Sequence, residues 1–181
     1  MTAAEKKTIV LFGSSAVPPD SPNYILAYEL GQALGRAGYH LANGGYAGTM
    51  AAAAHGAHLA GARTIGVTCS AFGRSAPNSW IDKEIKTNTL DERLNRLINL
   101  GQAYIVLPGS TGTLLELSMV WELMNKSFVP QRPIICLSTY WKPVINTVMQ
   151  ADAANGRSIS FVETLDQLLQ ILNDFFAGPG H

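Results

Sequence analysis

At 181 residues the chain has enough length for one well-filled core and too little for two comfortable domains, so a single domain over residues 1–181 is expected. Hydrophobic residues make up 47% of it and charged residues only 14%, a balance that suits a sheet buried on both faces and excludes disorder. Basic and acidic residues number 13 each, so there is no net positive field to gather a nucleic-acid polymer, although backbone amides can still hold a small anion.

The N-terminal segment contains an apolar run of only five residues, too short for a signal-peptide core or a membrane span, so a cytoplasmic protein with no membrane partner is expected. Cys69 and Cys136 each end an apolar run and form no CxxC pair, which argues for reduced structural thiols over zinc or redox chemistry.

In chain order, the β-branched run at 8–13, stopped by Gly13, predicts a central strand. Ser21 before Pro22 marks a helix start, and the glycines near 38 mark its end. A short strand follows at 39–42, then the loop NGGYAG and an Ala-rich helix over 49–59. Residues 64–68 form a third expected strand, and the turn-rich stretch 69–80 reads as a mobile loop over the ligand end of the sheet.

Thr89 and Glu92 have capping-box spacing, which predicts a helix over 90–100. The run at 103–108 is the clearest buried strand, and it leads through GSTGT into a helix expected at 113–125. A strand at 133–138, a helix after Pro143, a short strand at 159–162 and a helix capped by Thr164 complete the chain. Strands alternating with helices call for a Rossmann-like three-layer α/β/α fold with a mostly parallel, doubly wound sheet.

Two loops share one construction: strand, glycine-rich turn, helix N-terminus. The first contains Gly44, Gly45, Tyr46, Gly48 and Thr49, and the second runs from Pro108 through Gly109, Ser110, Thr111, Gly112 and Thr113. Glycines let the backbone approach a phosphate, and the helix behind offers unpaired amides and a partial positive charge. The expected site is therefore a joint anion cradle at the carboxyl ends of the strands.

Neither loop is a Walker A, since no Gly-Lys-Ser/Thr occurs. A nicotinamide dehydrogenase is also disfavoured, because G-x-G-x-x-G is missing after the first strand and the second ends at Asn43 without the ribose-binding acid.

These residues resemble the LONELY GUY family of phosphoribohydrolases, long misnamed lysine decarboxylases. Gly13, Ser14 and Ser15 are similar to the family's first-strand ending, and residues 44–50 to its first glycine motif. Residues 108–116, ending in Leu114, Leu115 and Glu116, resemble its P-G-G-x-G-T-x-x-E signature; Asp91, Glu92, Arg93 and Leu94 lie where the family carries His-Glu-Arg-Lys. The likeness covers residues 8–138, with departures at Asp91, Leu94, Ser110 and Leu115.

The resemblance implies hydrolysis of the N-glycosidic bond of a nucleoside 5′-monophosphate to free base and ribose 5-phosphate, with no cofactor required. Glu116 would face the oxocarbenium-like sugar and Arg93 would hold ribose or phosphate. A purely structural account of Glu116 also stands, as the Thr113-x-x-Glu116 cap of its helix. Arg93 fits a structural account less well, because a cation near a helix N-terminus is mildly unfavourable.

Other residues carry weaker signals. His55 and His58 could face a metal, but they lack a third ligand and fit exposed surface, so no metal site is expected. Tyr46, Trp80 and Trp121 are candidates to stack on a base, Trp121 fitting a buried helix stripe better. No lysine adjoins either loop, which disfavours pyridoxal phosphate.

The main alternative is a non-catalytic carrier for molybdenum cofactor, whose molybdopterin also presents a phosphate and a purine-like ring system; a nucleotide sensor is a third reading. The helix at 113–125, apolar on more than one face, suggests a homodimer or homotetramer.

Overall fold

The computed structural model describes residues 6–73, 76–151 and 158–178. Apolar runs become strands and the segments between them become helices: β1 (Thr8–Phe12), α1 (Pro22–Arg36), β2 (His40–Asn43), α2 (Thr49–Leu59), β3 (Thr64–Cys69) and β4 (Lys83–Thr87) form the first half. The second half comprises α3 (Leu90–Leu100), β5 (Ala103–Val106), α4 (Thr111–Asn125), β6 (Ile134–Leu137), α5 (Lys142–Ala151), β7 (Ile159–Val162) and α6 (Leu165–Ala177).

The seven strands form one sheet in the order β4-β3-β2-β1-β5-β6-β7, and every pairing is parallel. This is the Rossmann-like α/β fold expected from the alternation. The chain winds outward from β1 to β4 and then returns to place β5 on the other side of β1, in register from Ile9 opposite Ala103 to Phe12 opposite Val106. The loops leaving β1 and β5 therefore diverge and open a crevice at their carboxyl ends.

Period-two alternation divides the strands between two cores. Ile9 and Leu11 pack with Leu30 of α1, Ala53 of α2 and Leu168 of α6; Val10 and Phe12 pack with Leu97 of α3, Leu117 of α4 and Ile145 of α5. Helices thus cover both faces.

The expected caps form. The Ser21 hydroxyl accepts from the Tyr24 amide (3.4 Å), and Thr164 and Gln167 make a reciprocal capping box. The Thr89 hydroxyl accepts from the Glu92 amide (3.3 Å), while the Glu92 carboxylate reaches back to the Asn88 amide (2.8 Å), one residue before the cap.

Several boundaries differ from the sequence expectation. β4 was not anticipated: it is a sheet-edge strand whose exposed Lys83 and Lys86 replace the apolar run that marks a buried strand. α4 begins at Thr111, two residues early, with Ser110 as its N-cap.

The 69–80 stretch is less free than expected from its composition, though Arg74 and Ser75 lie outside the described residues. Ser70–Phe72 form a 3₁₀ turn, and residues 78–82 are tied down by side chains. Among the described residues, no helix is long and apolar enough to cross a membrane.

The Ala-rich composition of α2 has a packing cause. α1 and α2 meet almost backbone to backbone: a Cβ on Gly31 would collide with the Ala53 carbonyl, and one on Gly56 with the Tyr28 carbonyl. Gly56→Ala should therefore lower the unfolding free energy by about 1–3 kcal/mol through overpacking; a denaturation midpoint equal to that of the parent would refute the close contact.

Candidate functional site

The carboxyl ends of β1 and β5 open into a cleft of about 220 Å³. Its floor carries Gly13, Ser14 and Ser15 from the turn after β1, and its wall carries Ser110, Gly112 and Thr113 from the start of α4. Arg93 of α3 and Glu116 of α4 meet at the back.

Arg93 is 6% exposed and Glu116 8%, yet both line the cleft. Arg93 Nη1 donates to Glu116 Oε1 at 3.1 Å, and Arg93 Nε donates to the Val67 carbonyl at 2.9 Å. The guanidinium carbon lies 5.7 Å from the ring centres of both Tyr46 and Phe72. Gly44 leaves room for the guanidinium, since a Cβ there would collide with Nη2.

Tyr46 is itself held. Its hydroxyl accepts from the Cys69 amide (2.8 Å) and donates to the Cys69 carbonyl (3.3 Å), which ties the ring to the end of β3. Burial pushes the Glu116 carboxyl up to about 7, while the charge and hydrogen bond of Arg93 pull it the other way.

Capping does not account for Glu116. Its carboxylate bonds Arg93, and Ser110, not Thr113, is the N-cap of α4. Ser110 makes no side-chain cap bond. Among the described residues, the amides of Thr111, Gly112 and Thr113 and the Thr113 hydroxyl find no hydrogen-bond partner, although Thr113 is only 2% exposed. An uncapped terminus of a fifteen-residue helix at the mouth of a cleft is chemically suited to an anion.

The first glycine loop behaves differently from the expected cradle. The Gly45 amide donates to Asn43 Oδ1 (2.8 Å) and the Thr49 amide to the Ser14 carbonyl (3.0 Å), while Gly48 abuts Ser14 and Ser15. This loop braces the 13–15 turn. Of its candidate residues only Tyr46 lines the cleft; Gly44, Gly45, Gly48 and Thr49 stand behind, as do Pro108, Gly109 and Thr111 on the other side.

The remaining candidates fall elsewhere. Trp80 stacks on His55 at 3.8 Å between ring centres, away from the cleft, and Trp121 is buried between α4 and its neighbours. His58 Nδ1 lies 3.0 Å from the Asp82 carboxylate. Among the described residues, no group of three or more His, Cys, Asp or Glu side chains could hold a metal.

Met50, Phe72 and Leu90 line the cleft without having been singled out in the sequence, and so do the two leucines at departure positions, Leu94 and Leu115. An isolated aromatic in a polar, turn-rich stretch was the one available signal for Phe72.

The profile described as the SLOG cluster4 family matches residues 6–168. The chain belongs to the SLOG cluster4 family. It is 35% identical over 109 residues to a cytokinin riboside 5′-monophosphate phosphoribohydrolase of Mycobacterium tuberculosis, a match covering 59% of this chain and 58% of that protein.

Among solved structures it is similar to TM1055, a structural genomics target (25% identity, TM-score 0.77, 93% of this chain and 99% of that one). The molybdenum cofactor binding protein of Rippkaea orientalis has the same fold (20% identity, TM-score 0.78, coverage 96% and 99%).

In this SLOG cluster4 protein, removing one partner of the buried pair leaves an uncompensated charge. Arg93→Met should cost about 3–5 kcal/mol of stability at pH 8.5. The loss should shrink at pH 5.5, where the Glu116 carboxyl is protonated, and the double variant Arg93→Met, Glu116→Gln should recover much of it. Equal losses at the two pH values in chemical denaturation would show that the carboxylate is not the source.

Proposed function

We propose that the protein hydrolyses the N-glycosidic bond of a nucleoside 5′-monophosphate, releasing the free base and ribose 5-phosphate. One observation carries the reading: α4 presents both an uncapped amide terminus and, one turn further on, a buried carboxylate to the same cleft. Residues 112 and 116 are about 6 Å apart along the helix axis, close to the reach of a ribose 5-phosphate from its phosphorus to C1′. The phosphorylated end would sit on the amides of Gly112 and Thr113 and the Thr113 hydroxyl, with Ser14 and Ser15 opposite.

Water then adds to C1′ as the bond from C1′ to the base nitrogen breaks; the base leaves with that electron pair and takes up a proton. Ionised Glu116 stabilises the oxocarbenium-like sugar or accepts the proton of the attacking water. Arg93 has two N–H groups committed to Val67 and Glu116, so its first task is to orient the carboxylate, leaving its remaining donors for ribose hydroxyls. No cofactor enters this scheme. The mycobacterial relative supports the reaction class, and the substrate's base is left open.

The carrier reading has its own observation. Leu90, Leu94 and Leu115 make one wall of the cleft apolar, which suits retention of a pterin phosphate such as molybdopterin as bound cargo.

Incubation with a panel of nucleoside monophosphates should release free base, with kcat rising through pH about 7 as Glu116 ionises. Glu116→Gln should lower kcat by roughly 10²–10³-fold with KM little changed. Tight molybdopterin or nucleotide binding without turnover would decide for the carrier.

We also propose that the outer surface of α4 meets a second copy of the chain. Leu115 is 40% exposed, and Leu114, Trp121, Val144 and Val148 line an apolar groove between α4 and α5. Sedimentation at micromolar concentration should give at least twice 19.4 kDa; a monomer would count against the pairing.

A further inference from the structure

The strap between the 3₁₀ turn and β4 is pinned to the body of the protein at its far end. Asp82 accepts from the Thr64 amide (2.8 Å) and faces His58, while Trp80 stacks on His55 and its carbonyl accepts from the Thr64 hydroxyl (2.5 Å). Asn78 extends from this anchored segment toward the first glycine loop. Its amide donates to the Gly45 carbonyl (2.8 Å), and its side-chain Nδ2 donates to the carbonyls of Gly45 (3.1 Å) and Tyr46 (2.9 Å). Its Oδ1 accepts from the Trp80 amide (3.1 Å), closing a local turn.

Those two carbonyls flank the residue whose ring lies against Arg93. From this geometry we infer that Asn78 is a positioning residue: through its Nδ2 bonds it holds Tyr46, and thereby the Arg93 guanidinium, in the orientation that aims Glu116 into the cleft. The inference rests on the hydrolase reading for its kinetic consequence, though the mechanical chain from Asn78 to Glu116 stands apart from turnover. No other side chain among the described residues donates to both carbonyls. Asn43 holds the Gly45 amide and Cys69 holds the Tyr46 hydroxyl, while Asn78 holds the two carbonyls between them, so the glycine-rich loop is fixed from outside at each point.

Two neutral variants separate this role from simple turn formation. Asn78→Ser keeps an acceptor for the Trp80 amide but cannot reach both carbonyls; Asn78→Ala loses both functions. The activity-independent readout is the titration of the Glu116 carboxyl by carbon-13 NMR on isotopically labelled protein, assigned by the signal missing in Glu116→Gln.

Among the described residues, Arg93 is the charged group set against Glu116, and Tyr46 is the titratable side chain packed on that guanidinium. Slackening Tyr46 weakens the downward pull of Arg93. Both variants should therefore move the Glu116 midpoint upward and lower kcat roughly 10- to 100-fold per folded molecule, with KM nearly unchanged.

If Asn78 only shapes its turn, Asn78→Ser behaves as the parent and Asn78→Ala loses stability while its folded fraction keeps the parental titration and kcat; that result overturns the inference. Should no nucleoside monophosphate be turned over by the parent, the hydrolase reading fails, and the Glu116 titration still decides the part played by Asn78.

Discussion

The candidate site is organised by one ion pair that water barely reaches. Burying Arg93 and Glu116 together removes two charges from solvent, a penalty that their mutual attraction offsets only with good geometry and further hydrogen bonds. The surrounding structure supplies these: a β3 carbonyl for Nε, two aromatic rings beside the guanidinium, and an absent side chain at Gly44. Each comes from a different element, and all converge where the strand order reverses. The fold thus brings the pair to the place where an open parallel sheet leaves a crevice.

Around that pair, the two glycine loops divide the labour that their similar sequences suggested they would share. The 109–113 turn keeps its helix terminus open, helped by Tyr140, whose hydroxyl donates to the Gly109 carbonyl (3.0 Å) and steadies the turn. The 44–49 loop folds inward, and Asn43 at the end of β2 takes up the Gly45 amide in the position where a nucleotide-binding dehydrogenase would carry an acid. Similar glycine-rich turns therefore leave an uncapped helix terminus in one case and form scaffolding in the other. The difference lies in whether a neighbouring segment, here the 14–15 turn, already occupies the amides.

The parts of the fold that could be read from sequence are those where local pattern and burial agree. Residues 8–12, 103–106 and 134–137 are apolar because both sheet faces are covered, and Ser21, Thr89 and Thr164 cap their helices as their spacing foretold. β4 escaped notice because an edge strand carries lysines and needs only half of the usual apolar pattern. Arg93 was visible through a local mismatch, a cation near a helix N-terminus; its resolution, Glu116 on another helix 23 residues away, is a long-range contact that no local pattern contains. Asn78 and Phe72 were opaque for the same reason, since nothing near them in the chain reveals a glycine loop or a guanidinium as their partner.

The sheet's outer strands have a bearing on how copies of this protein could associate. One border is lined by the ammonium groups of β4, and the other is a strand of only four residues, β7. Lysines on the first border oppose its pairing with the edge of another sheet. Extension of the ladder into an open-ended polymer is thereby disfavoured along β4.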